Sequence, residues 1–218
     1  MITLIDYNSG NPTSVANALE KLGFEYKICS KKEEIAKADK IIFPGQGHNA
    51  QAMAELKKLD LIDVIKNFKK PFLGICVGMQ LLYEFSEEGD TECLGVIEGR
   101  VKKMKNEKCK MKNEKLKIPQ MGWNEIKLKI ENEKCKMKDE KLRIKNLEFR
   151  ILKNIPNHSY FYFVHSYFCS VNEYTLATCE YGNEFCAIVK KENFYGTQFH
   201  PEKSGEVGLE LLKNFCLL

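Results

Sequence analysis

The 218-residue chain is 44% hydrophobic and 29% charged, so it predicts one globular domain over residues 1–218 rather than a disordered or fibrous chain. The N-terminal segment, Met1 followed by ITLIDY, has neither the plan of a secretory signal nor the length of a membrane span. The nine cysteines form no CxxC pair, so a reduced, cytoplasmic protein is expected. The net charge of +4 arises in residues 101–147, which hold 16 Lys and Arg against 7 Asp and Glu, so the rest of the chain is acidic. No aromatic or arginine pattern accompanies these lysines, so nucleic-acid binding is not expected.

Strands and helices alternate from the N-terminus. The segment ITLI predicts a strand, and NPTSVANALEKLG predicts a helix that Asn11 or Thr13 caps and Gly23 ends. Further strands are predicted at FEYKIC, KIIFPG and PFLGI, with helices over KEEIAKA, residues 49–67 and MQLLYEF. This order predicts an α/β fold with a mostly parallel central sheet, helices on both faces, and reactive groups at the carboxyl ends of the strands.

Cys76 lies at one of these carboxyl ends, in the segment GICVG. Gly74 and Gly78 flank it with the spacing of a nucleophile elbow, a tight strand-to-helix turn that needs small neighbours and exposes the nucleophile. The positive end of the next helix favours a thiolate there, and the Val77 amide is positioned to stabilise an oxyanion. An isolated cysteine is more often a buried core residue, but the flanking glycines favour the nucleophile.

A lysine-rich repeat occupies residues 106–118 and 132–144, as NEKCKMKNEKLKI and NEKCKMKDEKLRI. Apolar residues alternate on each side of the central Asn-Glu or Asp-Glu pair, which predicts a β-hairpin insertion for each copy. A disordered, solvated loop is the alternative.

The chain has four histidines that could serve as the base for a thiolate nucleophile: His48, His158, His165 and His200. His200 follows an alternating apolar run, and Glu202 two residues later is placed to orient its imidazole, which predicts a Cys-His-Glu triad in that order. His165 follows an aromatic strand and is better interpreted as a core or substrate-contacting residue. His48 and His158 have no clear chemical context.

Five segments together carry a family resemblance. PGQG at 44–47, GICVGMQ at 74–80 and QFHPE at 198–202 resemble the signatures of class I (triad) glutamine amidotransferases. PQMGWNE at 119–125 and YFVHSY at 162–167, with the opening DYNSGN, resemble the glutaminase subunits of imidazole glycerol phosphate synthases. The resemblance implies hydrolysis of glutamine by Cys76, His200 and Glu202 without a cofactor or metal. It also implies an oxyanion strand at Gly45, Gln46 and Gly47, and glutamine binding by Gln80, Glu88, Ser166 and Tyr167.

The resemblance further implies a heterodimer in which ammonia passes to a (β/α)8-barrel cyclase subunit that makes imidazole glycerol phosphate in histidine biosynthesis. By the same pattern, the partner interface and ammonia gate include Asn11, Trp123, Tyr162 and Lys203. A core aromatic is the alternative for Trp123. The chain departs from the family pattern at Pro12, Gln46 and Gln120, which lie in the oxyanion strand or at the expected partner face.

Two alternatives stay open. A paralogous glutaminase that supplies ammonia to a surface-sugar amidination pathway would keep the same hydrolytic chemistry. A cysteine peptidase, a chaperone-like relative or a catalytically silent binding module on a similar elbow fold belongs to a different class, and Gln80 and the HPE triplet argue against all three.

Overall fold

The computed structural model describes residues 1–8, 10–105, 116–129 and 147–218. The hairpins predicted for the two lysine-rich repeats lie outside the described residues, apart from the last three residues of the first copy, 116–118.

The first third of the chain alternates strands and helices, as predicted. The elements are β1 (Ile2–Ile5), α1 (Pro12–Lys21), β2 (Tyr26–Cys29), α2 (Lys32–Ile35), β3 (Lys40–Phe43), α3 (Asn49–Lys58), α4 (Ile62–Lys66), β4 (Phe72–Ile75) and α5 (Val77–Gln80). The helix predicted over 49–67 is interrupted near Asp60, whose φ is +53°. The helix predicted over MQLLYEF starts earlier, at Val77, and ends at Gln80.

The remainder of the described chain is richer in strands. They are β5 (Phe85–Ser86), β6 (Thr91–Glu92), β7 (Arg100–Lys103), β8 (Gln120–Leu128), β9 (Tyr160–His165), β10 (Tyr167–Cys169), β11 (Thr175–Tyr181), β12 (Asn183–Lys191) and β13 (Phe194–Thr197). Short 3-10 helices span Leu147–Leu152 and Pro201–Lys203, and α6 spans Gly205–Cys216. No helix within the described ranges is long and apolar enough to cross a membrane.

The main sheet joins nine of the described strands in the order β2-β1-β3-β4-β13-β12-β11-β8-β9. From β2 to β13 neighbouring strands are parallel, whereas from β13 to β9 they are antiparallel. The α/β prediction is confirmed, but the sheet is mixed rather than mostly parallel. Single-residue and two-residue connections join β11, β12 and β13, and such short turns permit only antiparallel pairing.

The helices cover both faces of the parallel half. The chain moves from β1 to β2 in one direction along the sheet and from β2 to β3 and β4 in the other. Because such crossovers are right-handed, α1 lies on the opposite face from α2, α3 and α4. Strands β1 and β4 are accordingly buried at every residue. A second sheet has the order β10-β7-β5-β6, and its strand β10 contacts β12 of the main sheet.

Candidate active site

Cys76 occupies a sharp turn between β4 and α5. Its φ of +53° and ψ of −108° lie in a region that non-glycine residues rarely adopt, and such strain typically marks functional turns. The Cys76 amide donates to the Thr197 carbonyl of neighbouring β13 at 2.7 Å, which holds the turn against the sheet. Cys76 is only 4% exposed, and it lines a cavity of about 230 Å³.

Three glycines allow this turn to form. A Cβ on Gly74 would lie 2.4 Å from the Gly78 carbonyl oxygen, and one on Gly78 would lie 2.2 Å from the Phe43 carbonyl oxygen. A Cβ on Gly45 would lie 2.1 Å from the Gly78 amide nitrogen. The ends of β3 and β4 and the start of α5 therefore touch backbone to backbone, which is the physical basis of the glycine spacing seen in the sequence.

His200 and Glu202 lie together beside Cys76. Nδ1 of His200 is 2.8 Å from Oε1 of Glu202, and both side chains are at least 95% buried. The His200 amide donates to the Tyr162 carbonyl at 2.9 Å, so β9 fixes the backbone of this segment. The second ring nitrogen, Nε2, is buried without a hydrogen-bond partner among the described residues.

The electrostatics of this group favour a charged imidazole. Burial lowers the pKa of His200, but the negative charge of a Cys76 thiolate and the Glu202 carboxylate outweigh it and raise the pKa to about 10. An imidazolium is therefore available at neutral pH as a proton donor beside the Cys76 thiolate.

The cavity also brings together most of the residues predicted to bind substrate. Its lining includes the predicted residues Gln46, Gly47, Val77, Gln80, Glu88, Ser166 and Tyr167, together with Pro119, Val164 and His165. Gly45 does not line it but packs beneath the first turn of α5. Gly47 has a φ of +113°, a conformation that the glycine permits.

A chain of buried amides connects the cavity wall to the nucleophile. The Glu88 carboxylate accepts a hydrogen bond from the backbone amide of Asn49 at 2.7 Å, and the Asn49 side-chain Nδ2 donates to Gln80 Oε1 at 3.1 Å. Gln80 Nε2 donates to Gln198 Oε1 at 3.1 Å, and Gln198 Nε2 lies 3.7 Å from the Cys76 sulfur. The sequence predicts no role for Asn49 or Gln198. Gln198 stands within the quoted QFHPE segment, whereas Asn49 carried no comparable signal.

His165 lines the same cavity but differs from His200. Its Nδ1 lies 2.8 Å from the Tyr167 carbonyl oxygen, which can only accept, so Nδ1 carries the proton. Burial lowers the pKa of His165 to about 4 despite this hydrogen bond. His165 is therefore neutral at physiological pH, with a buried Nε2 lone pair. Neither of the other two histidines lines the cavity: His48 caps α3, and His158 lies 3.5 Å from Glu125.

The residues predicted at the partner face lie outside the cavity. Trp123 pairs with Tyr162 across β8 and β9, with ring centroids 6.2 Å apart, and is 55% exposed, so it is not a core aromatic. Lys203 is exposed in the 3-10 helix that contains Glu202, and α1 packs against that helix. Asn11 caps α1 by accepting from the Ser14 amide at 3.2 Å.

The three departures from the family pattern lie in different surroundings. Pro12 is the first residue of α1, and Gln46 is exposed on the cavity wall. Gln120 is buried and pairs with His165 across β8 and β9.

A thiol on a strand-to-helix elbow, next to a histidine that is paired with a carboxylate, is the arrangement of cysteine-nucleophile enzymes that attack acyl carbons. Within this class the chain belongs to the family of class-I glutamine amidotransferases, whose model, "Glutamine amidotransferase class-I", matches residues 3–218.

Curated relatives resemble the chain along its whole length. Imidazole glycerol phosphate synthase subunit HisH of Dehalococcoides mccartyi is 42% identical, over 99% of this chain and 96% of the relative. Subunit HisH 2 of Legionella pneumophila strain Paris is 43% identical, over 100% of this chain and 98% of the relative. The HisH subunit of Bacteroides fragilis is 42% identical, over 100% and 99%.

Solved structures share the fold at lower identity. A crystal structure described as a glutamine amidotransferase has a TM-score of 0.67 at 16% identity, covering 99% of this chain and 100% of that chain. The structure of PurLQS from Thermotoga maritima has a TM-score of 0.65 at 16% identity, covering 99% and 97%.

Proposed function

We propose that this chain is the glutaminase subunit of an imidazole glycerol phosphate synthase and that Cys76, His200 and Glu202 form its catalytic triad. The observation that carries the proposal is that the Cys76 thiol, the His200 imidazole and the Gln80 amide line one cavity. The relatives that are named as subunits of this synthase support the choice of pathway. The family match over residues 3–218 supports a single amidotransferase domain.

The first half of the reaction forms a thioester. The Cys76 thiolate attacks the carbon of the glutamine carboxamide, and a C–S bond forms as the carbonyl oxygen becomes an oxyanion. The Val77 amide and the peptide at 45–47 are the donors for this oxyanion. His200 then gives its Nε2 proton to the nitrogen as the C–N bond breaks, so ammonia leaves and His200 is neutral.

The second half uses the same histidine as a base. Neutral His200 takes a proton from water at Nε2, and the resulting hydroxide attacks the thioester carbon. The C–S bond breaks, the thiolate returns, and glutamate leaves. One glutamine and one water thus give one glutamate, one ammonia and one proton, with Glu202 holding the imidazole in position throughout.

The cavity wall that contains Gln80, Glu88, Ser166 and Tyr167 binds the glutamine substrate. The Glu88 carboxylate is the group that suits the α-ammonium of the substrate, while the Gln80 side chain and the backbone of Ser166 and Tyr167 contact its polar atoms. Gln80 is itself held by a hydrogen bond from its Nε2 to the Tyr167 carbonyl at 2.9 Å.

The ammonia acceptor belongs to a second subunit, a (β/α)8-barrel cyclase. The exposed Trp123 and its neighbour Tyr162, with Asn11 and Lys203, form the interface in this proposal, because a large exposed aromatic is typical of an interface anchor. A cytoplasmic location is part of the same proposal. It is supported by the free thiols of the described cysteines, Cys29, Cys76, Cys93, Cys169, Cys179, Cys186 and Cys216.

A reconstitution experiment tests the proposal. The purified chain is mixed with glutamine and the ribulosyl-ribonucleotide that the cyclase consumes, either alone, with the barrel cyclase or with a sugar amidotransferase from the same cell, and glutamate and imidazole glycerol phosphate are measured. Glutamate release that depends on Cys76 and rises with the cyclase is expected. If the sugar amidotransferase rather than the cyclase stimulates glutamate release, the ammonia serves sugar amidination. If no glutamate is released under any of these conditions, the chain is a silent binding module.

A further inference from the structure

The side chain of Gln198 lies between the nucleophile and the substrate-binding wall. Gln198 is fully buried, directly after β13, with its backbone amide donating to the Ala187 carbonyl at 3.0 Å. Its Nε2 is 3.7 Å from the Cys76 sulfur and its Oε1 is 3.1 Å from Gln80 Nε2. The reaction described above gives this amide no task, although it contacts the reacting atom.

Neighbouring groups determine which way the Gln198 amide points. The Tyr167 carbonyl can only accept, so the Gln80 atom that faces it must be the donor, Nε2. The same Nε2 faces Gln198, which must therefore present its oxygen to Gln80. The remaining Gln198 atom, the one nearest the sulfur, is consequently the NH₂ group.

We propose that Gln198 is a further catalytic residue, whose Nε2–H donates a hydrogen bond to the Cys76 sulfur and stabilises the attacking thiolate. This inference rests on the proposed function and deepens it. A donor to an anion favours the charged form and restricts its position, and burial strengthens both effects. The sulfur also interacts with the His200 imidazole, and it lies 3.8 Å from the Val164 carbonyl, which accepts from the protonated thiol alone.

The same chain of amides couples the nucleophile to the substrate wall. Asn49 Nδ2 donates both to Gln80 Oε1 and to Ser86 Oγ, at 3.1 and 2.7 Å, which fixes the Gln80 amide from its far side. A glutamine substrate that contacts Gln80 therefore also tightens the amide that contacts Cys76. The titratable groups around this sulfur are Glu88, His165, Tyr167, Cys169, His200 and Glu202.

The test measures thiolate formation directly. Iodoacetamide alkylates the full-length protein from about pH 5 to about pH 10, and peptide mass spectrometry follows modification of Cys76. In Gln198→Glu, a carboxylate replaces the donor but keeps an oxygen for Gln80. We expect its alkylation profile to move to higher pH and its rate at neutral pH to fall about 10- to 100-fold. Gln198→Met removes the donor without adding charge, and a fall of about tenfold is expected.

A matched control separates this effect from a general loss of stability. Asn214→Asp also replaces a buried amide, one that donates to the Ile151 and Lys153 carbonyls away from the cavity, and should leave the Cys76 profile at its wild-type pH. Wild-type profiles in both folded Gln198 variants would overturn the inference. Because alkylation needs no turnover, failure of glutamine hydrolysis in the wild-type chain would contradict the proposed function and leave the alkylation comparison for Gln198 valid.

Discussion

The imidazole of His200 and the carboxylate of Glu202 are in direct contact, with Nδ1 2.8 Å from Oε1 and both groups buried. The contact leaves Nε2 as the ring nitrogen that is free of a hydrogen bond within the described part of the chain. His200 therefore directs Nε2, the nitrogen that can carry a proton, toward the cavity, and Glu202 fixes the orientation of the ring through Nδ1.

Glu202→Gln should keep the contact but remove its charge. The pKa of His200 should then fall from about 10 toward 6.5, because one of the groups that raise it is lost. We expect kcat/KM for glutamine to drop roughly 10²–10⁴-fold, less than the loss in Cys76→Ala. Steady-state kinetics across pH measure both effects. Glu206→Gln, at the exposed start of α6, is the control, and equal losses in the two variants would contradict the assignment.

Gly78→Ala should prevent the elbow from forming. The new Cβ would lie 2.2 Å from the Phe43 carbonyl oxygen, so strands or helix must move, at an expected cost of about 3 kcal/mol or more of unfolding free energy. Urea denaturation measures this cost. Gly23→Ala is the control, because Gly23 has a φ of +74° with no atom within 4 Å of the added Cβ, and only about 1 kcal/mol of strain is expected. Similar costs at the two sites would argue against the packed elbow.

His165 should make the protein less stable in mild acid. Its pKa is about 4 in the folded state against an ordinary value of 6.5, so the unfolded chain binds more protons between these values. The free energy of unfolding should therefore fall as pH drops from 6.5 to 4, by up to roughly 3 kcal/mol, and the contribution is fully present above pH 6.5. Urea titrations of wild type and His165→Gln measure the difference.

The informative quantity for His165 is the slope of stability against pH. His165→Gln should be flatter than wild type in the acid range, whereas His158→Gln, which removes a half-exposed histidine, should keep the wild-type slope. Parallel curves for all three proteins would show that His165 has the same pKa in the folded and unfolded states, which would contradict the lowered value.

Trp123→Ala should weaken binding to the barrel cyclase without unfolding the chain. The side chain is 55% exposed, so its loss removes little internal packing, whereas an aromatic anchor at an interface typically accounts for about 30-fold or more in Kd. Calorimetric titration measures the affinity, and basal glutamate release should be unchanged. Ile28→Ala, 45% exposed on β2 at the opposite edge of the sheet, should bind normally. An unchanged Kd for Trp123→Ala would remove this residue from the interface.

The proposed catalytic positions can be predicted from the sequence because their signals are local. Two glycines around Cys76 and a carboxylate two residues after His200 are consequences of short-range geometry, so spacing alone indicates them. Asn49 gave no such signal, since its task depends on contact with Gln80, 31 residues away, which only the packed fold creates. The antiparallel half of the sheet was missed for a different reason. Strands β11, β12 and β13 are largely buried, so they lack the alternation typical of antiparallel strands, and their short connections at Gly182 and at 192–193 are the sequence signal of antiparallel pairing.

The most direct test of Cys76 as the nucleophile is detection of its covalent intermediate with glutamine. Wild-type protein is mixed with glutamine and the barrel cyclase, quenched in acid during turnover, and digested for peptide mass spectrometry. We expect one γ-glutamyl group on the peptide that contains Cys76. In Cys76→Ala, both this group and glutamate release should be absent. Cys93→Ala, which changes a partly buried thiol outside the cavity, should retain both. Sustained glutamate release by Cys76→Ala, or a γ-glutamyl group on another residue, would show that Cys76 is not the nucleophile.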